Sequence, residues 1–323
     1  MECRLTGVDR HGAQRAPLTD GPTFAGPTFV LSGGGNLGAL QVGMLRALAE
    51  AGVEPGLIVG TSIGAINGAF LAGHPGPDGA AEIAQLWSTL RRRDVLGFHP
   101  RTLARGLAGR QRYLFDAGPL RQLLDSFVGF DLLEQSPVPL AVVATDLGSR
   151  EPVLLCSGDA TTALLASSAV PGLLPPVSVE GRLLVDGAVA SDVPLREAVA
   201  LGSTDVLVLA TAPAQLDNLR RIAPVSPSAC AGDGVQVTVV PPLEVTVPFA
   251  ALDQSGRLAD LGYRRTRQWL DAGMPPATEP LCAEDRSTHD HKGPTTCTRR
   301  ARPGRRRRRC TRAGADPWTP TRT

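Results

Sequence analysis

Apolar positions along the chain fall into short unbroken runs separated by amphipathic stretches. "TFVL" leads straight into "SGGG", and "GLIVG", "PLAVVATDL", "EPVLLC", "RLLVDG", "DVLVLA" and "VQVTVV" repeat the form. Short apolar runs bounded by glycine, proline or aspartate read as buried strands. Between them the spacing becomes helical. In "NLGALQVGMLRALAEAG", Leu37, Leu40, Met44, Leu45 and Leu48 share one face and Gly52 marks the stop. "IGAINGAFLAG", "DGAAEIAQLWSTLRRR", "TTALLASSA", "LREAVALG" and "LADLGYRRTRQWLDAG" carry helical patterns as well. Strands apolar on both faces, alternating with helices, predict an α/β fold with a mainly parallel central sheet and helices on both faces. "APAQLDNLRRIAPVSPSACAGDG" reads as a polar, proline-containing excursion within that fold.

The pattern also suggests boundaries. Residues 1–26 have no periodicity and read as a flexible leader, 27–275 as the α/β domain, and 276–323 as a disordered Arg-rich tail almost without aliphatic residues. Hydrophobic residues make up 42% of the 323 and aromatics 4%, so the core has to be built from Leu, Val, Ala and Ile. The net charge of +2 hides a split: residues 283–323 hold 12 Lys+Arg against 4 Asp+Glu, while the rest of the chain is mildly acidic. The run Arg305 to Arg309 is of a kind that binds nucleic acid or anionic lipid, but it reads first as part of a solvated tail, and no specific nucleic-acid partner is expected. Six cysteines lie scattered without CxxC spacing, so a reduced, cytoplasmic setting without a structural metal is expected. The first residues lack the apolar core of a secretory signal. The uncharged stretch from Pro55 to Gly73 is too rich in glycine, and too polar at Thr61, Ser62 and Asn67, for a lipid-facing helix.

Chemistry concentrates at two glycine-marked junctions. "SGGGNLG" fits GxGxxG through Gly33, Gly35 and Gly38, between a strand and a helix. A dinucleotide site of that kind needs an acidic residue near the end of the second strand, and "LIVGTSIG" has none. The same geometry, with backbone N–H groups facing outward at a helix start, makes an oxyanion hole if a nucleophile stands beside it. Gly60-Thr61-Ser62-Ile63-Gly64 supplies GxSxG between an apolar strand and a helix, the context of a nucleophile elbow. Ser62 can equally be a helix cap.

A serine nucleophile needs a base. The five histidines, His11, His74, His99, His289 and His291, fall in the leader, loops and tail, and none ends a strand in the C-terminal half. Asp186, in "GRLLVDGAVASDVP", follows an apolar strand and precedes Gly187 and Ala188. If strand ends share one edge of a parallel sheet, Asp186 can reach Ser62 there and take its proton. An Asp-Gly turn with no catalytic part is the competing reading.

Taken in order, GGGxxG, GxSxG and Asp-Gly-Ala resemble the patatin-like phospholipases. The likeness runs from about Phe29 to Val208 and includes "GALQVGMLRALAEAG", "VVATDLGSREPVLLCSGD" and "ASSAVPGLLPPVSVEGRLLVDGAVASDVPLREAVALG". The resemblance implies a serine lipid acyl hydrolase of phospholipase A or lysophospholipase type, with Ser62 as nucleophile and Asp186 as general base. It implies an oxyanion hole on the loop of Gly33, Gly34, Gly35 and Gly38, with the amides of Gly34 and Gly35 as donors. It implies a lipid or acyl-ester substrate and no cofactor. Two positions depart from the family pattern: Leu37 stands where many members carry Arg or Lys, and Asp192 where Asn is usual.

Between Arg91 and Arg112 lie seven arginines and one acid, Asp94, interleaved with Leu96, Phe98, Leu103 and Leu107. This segment reads either as a mobile cap that touches anionic membrane peripherally or as a solvated helix. Beside the hydrolase stand two alternatives: a catalytically weak scaffold of the same fold that binds lipid or protein, and the weaker dinucleotide-binding oxidoreductase.

Overall fold

The first strand and the first two helices meet at glycines, and these junctions set the rest of the molecule. The computed structural model describes residues 24–97, 100, 104, 108, 113–222, 235–245, 247 and 252–274, all within the unit Met1–Glu284. Residues 1–23 of the expected leader and the whole Arg-rich tail lie outside the described residues. β1 (Thr28–Leu31) is buried throughout and passes through a 3-10 turn, Gly35–Leu37, into α1 (Gly38–Glu50). β2 (Leu57–Thr61) turns at Ser62 into α2 (Ile63–Gly73), followed by α3 (Gly76–Thr89), the single turn α4 (Arg92–Val95) and α5 (Gly118–Phe127). β3 (Leu140–Asp146), β4 (Pro152–Leu155), α6 (Ala160–Ser167), and the hairpin of β5 (Val177–Val179) and β6 (Arg182–Asp186) come next. α7 (Leu195–Ala200), β7 (Asp205–Leu209), α8 (Pro213–Ile222), β8 (Gln236–Val239) and α9 (Ser255–Asp271) complete the described elements.

The strands form one sheet. β8, β7, β1, β2 and β3 run parallel, and β4, β5 and β6 join antiparallel beyond them. Successive side chains of a strand point to opposite faces, and both faces here are covered. Phe29, Leu31, Ile58, Val142 and Leu209 pack under α1, α2 and α6, while Val30, Val59, Val143, Val206 and Val208 pack against Leu195 and Ala198 of α7 and Leu216 of α8. That double burial is why the strands read as continuous apolar runs. The fold is α/β with a central sheet between helices.

Three elements carry no separate signal in the apolar pattern: α5, β5 and α8. The expected polar excursion after Ala212 begins with the helix α8 before leaving the described residues at 223. α1 and α9 cross closely because glycines line the contact. A Cβ on Gly43 would run into the carbonyl oxygen of Ala259, and one on Gly262 into that of Leu40.

The junction of β2, β3 and β6 differs from a plain parallel edge. β2 pairs with Leu140–Val143 of β3, β6 with Ala144–Asp146, and β4 with Val142–Thr145. A strand has two hydrogen-bonding edges. β4 occupies one across Val142–Thr145, overlapping the stretches paired with β2 and with β6, so those two lie end to end on the other. They run in opposite directions and meet C-terminus to C-terminus: Thr61 faces Val143 and Asp186 faces Ala144.

Candidate active site

Ser62 stands where β2 breaks into α2. Its backbone has φ 54° and ψ −124°, a region that costs a non-glycine residue about 1–3 kcal/mol. Close packing explains the flanking glycines. A Cβ on Gly60 would lie 2.6 Å from Cα of Ala65, and one on Gly64 would run into the carbonyl oxygens of Leu31 and Ser32. The elbow is further fixed by Ser167, whose Oγ accepts from the Ser62 N–H at 2.8 Å and donates to the Val143 carbonyl at 2.6 Å. Ser62 occupies the cap position of α2, yet its side chain makes no capping bond. Its hydroxyl instead donates to Oδ2 of Asp186 at 2.6 Å.

Asp186 is brought there by the head-on meeting of β6 with β2. Strand ends sharing the C-terminal edge of a parallel sheet, as the sequence suggests, do not bring the two residues together; the contact is made by an antiparallel strand arriving from beyond that edge. Gly187 is needed because a Cβ would strike the carbonyl of Val143. The turn reading of Asp-Gly also has a counterpart: Oδ1 of Asp186 accepts from the Ala188 N–H at 2.8 Å and caps the 3-10 turn Gly187–Val189. One carboxylate oxygen holds the turn and the other faces Ser62. Asp186 is only 4% exposed, and this burial pushes its carboxyl up to about 6, against the lowering pull of hydrogen bonds from Ser62 and Ala188 and with a smaller push from the nearby Asp192. Burial likewise raises Asp192, opposed by a hydrogen bond from Gln215.

The four glycines of the GGGxxG loop separate into two pairs. The Gly33 N–H donates to the Asp192 carbonyl at 3.0 Å and the Gly38 N–H to carbonyls of its own turn, so neither is available to a ligand. The N–H groups of Gly34 and Gly35 have no hydrogen-bond partner among the described residues. Gly34 has φ +148° and Gly35 φ +58°, conformations open to glycine. Gly33 lies beside the serine: a Cβ built on it would sit 3.6 Å from Cβ of Ser62.

Above Ser62 and Gly35 opens an apolar cavity of about 130 Å³, walled by Ile63, Ile66, Trp87, Leu120, Phe127 and Leu174 among others. A buried polar chain ties its wall to the glycine loop. Trp87 Nε1 donates to Asn67 Oδ1 (3.0 Å), Asn67 Nδ2 donates to the Gly38 carbonyl (3.1 Å) and to Gln41 Oε1 (3.0 Å), and Gln41 Nε2 donates to the Leu209 carbonyl (2.9 Å). Asn67, Gln41 and Ser167 carried no functional signal in the sequence, since single polar residues inside apolar helices name no role. Arg92 reaches the cavity's edge and lies 5.7 Å from the Phe115 ring centre. Of the expected cap, Phe98, Arg101, Leu103, Arg105, Leu107, Arg110 and Arg112 lie outside the described residues, as do His11, His99, His289 and His291. His74 follows the last residue of α2, about 18 Å along the helix from Ser62 at 1.5 Å per residue, and stacks on Phe70. Among the described residues no group of three His, Cys, Asp or Glu is placed to hold a metal ion, and no helix is long and apolar enough to cross a membrane.

With this geometry in place, the chain can be set beside known proteins. Residues 29–199 match the family described as Patatin-like phospholipase. An uncharacterised NTE family protein of Mycobacterium tuberculosis (strain ATCC 25618 / H37Rv) is 34% identical over 169 residues, covering 52% of this chain and 44% of that protein. Patatin-like phospholipase domain-containing protein 7 of Mus musculus is 29% identical over 215 residues, 62% of this chain and 14% of that one. The chain therefore spans less than half the length of these curated relatives. Among solved structures, full-length ExoU of Pseudomonas aeruginosa in complex with full-length SpcU overlays 77% of this chain and 53% of its own, with 16% identity and a TM-score of 0.44. The match across more than half of the chain, over the segment that holds both glycine junctions and Asp186, makes it a member of the patatin-like phospholipase family.

Proposed function

We propose that the protein is a serine hydrolase of lipid acyl esters in which Ser62 attacks and Asp186 serves as base. The observation that carries this reading is the 2.6 Å hydrogen bond from Ser62 Oγ to Asp186 Oδ2 on the floor of an apolar cavity. A substrate acyl chain enters the cavity and its ester carbonyl comes to rest over Ser62. Oγ attacks the carbonyl carbon while its proton passes to Asp186, which a value of about 6 leaves ionised at neutral pH. The oxygen that gains charge is stabilised by the N–H groups of Gly34 and Gly35, an effect for which one donor is typically worth about 10²–10³ in rate. The C–O bond to the alcohol breaks, Asp186 returns the proton to the leaving oxygen, and an acyl-serine remains. Water, giving a proton to Asp186, then attacks that ester; the bond from the acyl carbon to Oγ breaks, Asp186 passes the proton to Oγ, and the fatty acid and Ser62 are freed. Family membership and the NTE and phospholipase-domain relatives support a lipid substrate. Arg92 at the cavity edge, with Arg91 and Arg93 exposed next to it in the chain, supports contact with an anionic lipid surface.

A fluorophosphonate probe tests the assignment directly. The wild-type protein is expected to label and Ser62→Ala to stay blank, whereas replacing all five histidines should leave p-nitrophenyl ester turnover within a few-fold. Labelling that persists in Ser62→Ala, or turnover that collapses in a folded histidine-free protein, removes the Ser–Asp reading.

A further inference from the structure

Gln215, at the start of α8 in the stretch that looked like a polar excursion, is 8% exposed and touches three segments around the glycine loop. Its Nε2 donates to the Gly33 carbonyl and to Oδ2 of Asp192, each at 2.9 Å. Its Oε1 accepts from the N–H groups of Thr211 (2.9 Å) and Ala212 (3.1 Å). The hydroxyls of Ser32 and Thr211 stand 3.0 Å from the same oxygen. The orientation of this amide is chemically dictated. A carbonyl and a carboxylate only accept and backbone N–H groups only donate, so a flipped amide would set like against like on both sides. Thr211 Oγ1 adds a second donor to the Gly33 carbonyl at 2.7 Å. With its N–H on the Asp192 carbonyl as well, Gly33 is held at both ends.

Peptide planarity converts this clamp into a direction. In a trans peptide the carbonyl and the following N–H point opposite ways. Fixing the Gly33 carbonyl toward Gln215 and Thr211 therefore fixes the Gly34 N–H away from them. The restraint matters because a peptide between two glycines is free to turn over. Turned over, it would aim a carbonyl oxygen where the donor belongs. We propose that Gln215, assisted by Thr211, is a positioning residue that presents the Gly34 N–H to the oxygen developing charge during attack by Ser62. This rests on the reading of Ser62 as the nucleophile.

The test compares the full chain with Gln215→Leu and Thr211→Val, using p-nitrophenyl butyrate turnover normalised to Ser62 titrated by fluorophosphonate. Gln215→Leu is expected to lower kcat per titrated site roughly 10- to 100-fold, on the order of a misplaced catalytic group, with KM changed less than about threefold. The rate of phosphonylation should fall in parallel, because that adduct places an oxygen in the same position. Thr211→Val removes one donor and leaves Gln215 in place, so it should show the same split with a smaller loss. A residue that serves only the fold would lower the titratable fraction and leave kcat per site unchanged; that result in the two variants overturns the inference while the Ser62 reading stands. A wild-type protein that does not label at Ser62 overturns both.

Discussion

Asp186 combines two demands that pull its carboxyl in opposite directions. Burial favours the neutral acid, while the Ser62 hydroxyl and the Ala188 N–H favour the anion, and the outcome is a rise from 3.8 to about 6. Ester hydrolysis is accordingly expected to climb with pH along one limb centred near 6 and to level off above it, read as kcat/KM for a neutral p-nitrophenyl ester. The same shift bears on stability. Between the ordinary and the raised value the folded chain binds the proton more tightly than the unfolded one, so stability falls as pH rises from about 4 to about 6 and stays lower above. The difference between 3.8 and about 6 corresponds to on the order of 3 kcal/mol. Asp186→Asn, which cannot ionise, should lose hydrolysis yet melt higher than the wild type at pH 8, with the gap closing below pH 4. A lower melting point at pH 8 would mean that the anion's hydrogen bonds outweigh its burial. Ser62, Asp186 and the glycines were legible because each sits in a short motif whose neighbours are sterically dictated. Gln215 was not: a glutamine in "APAQLDNL" reads as part of a polar excursion, and its burial depends on Gly33 and Asp192, distant in sequence. The departure at Asp192 was visible, but its link to Gln215 was not.

Helices α1 and α9 show how a sequence specifies contact without hydrophobic bulk. Gly43 and Gly262 bring the two backbones together, so side-chain volume there has nowhere to go. Gly262→Leu is expected to push α9 off α1 and cost about 2–4 kcal/mol in urea denaturation, at the upper end of overpacking effects; an unchanged midpoint would mean that the helices separate freely. The strands of the parallel region and α1, α2, α6 and α9 were readable, since burial on both faces makes strands uniformly apolar, burial nearly all round makes α1, α2 and α6 rich in apolar and small residues, and one-sided burial stripes α9. α5 passed unnoticed between arginine-rich and proline-containing segments, and β5 is three residues long. The direction of β4 and β6 could not be inferred, because an apolar run says nothing about which way it lies.

The distribution of charge gives the molecule a surface that its interior does not explain. Arg91, Arg92 and Arg93 sit exposed, Arg92 at the cavity's edge, and Asp94 beside them in the chain offers an opposite charge to Arg93. Converting the three to Gln is expected to weaken binding to phosphatidylserine-containing vesicles several-fold at low salt, with the difference shrinking as salt screens it. Binding equal to wild type at low ionic strength would place the lipid contact elsewhere. The α/β architecture was predictable from alternation alone, whereas the route by which a hydroxyl and a carboxylate 124 positions apart meet was not. That route depends on two strands sharing one edge of β3.

The shared edge has a consequence for synthesis. A ribosome that has delivered the chain through β3 has made the alcohol and the rail beside it, but the acid that would accept its proton is still untranslated. Under the proposed chemistry the growing polypeptide is unarmed until β6 slides in against that rail. The cell that makes the protein is thus spared a lipid-cutting catalyst that is only half built.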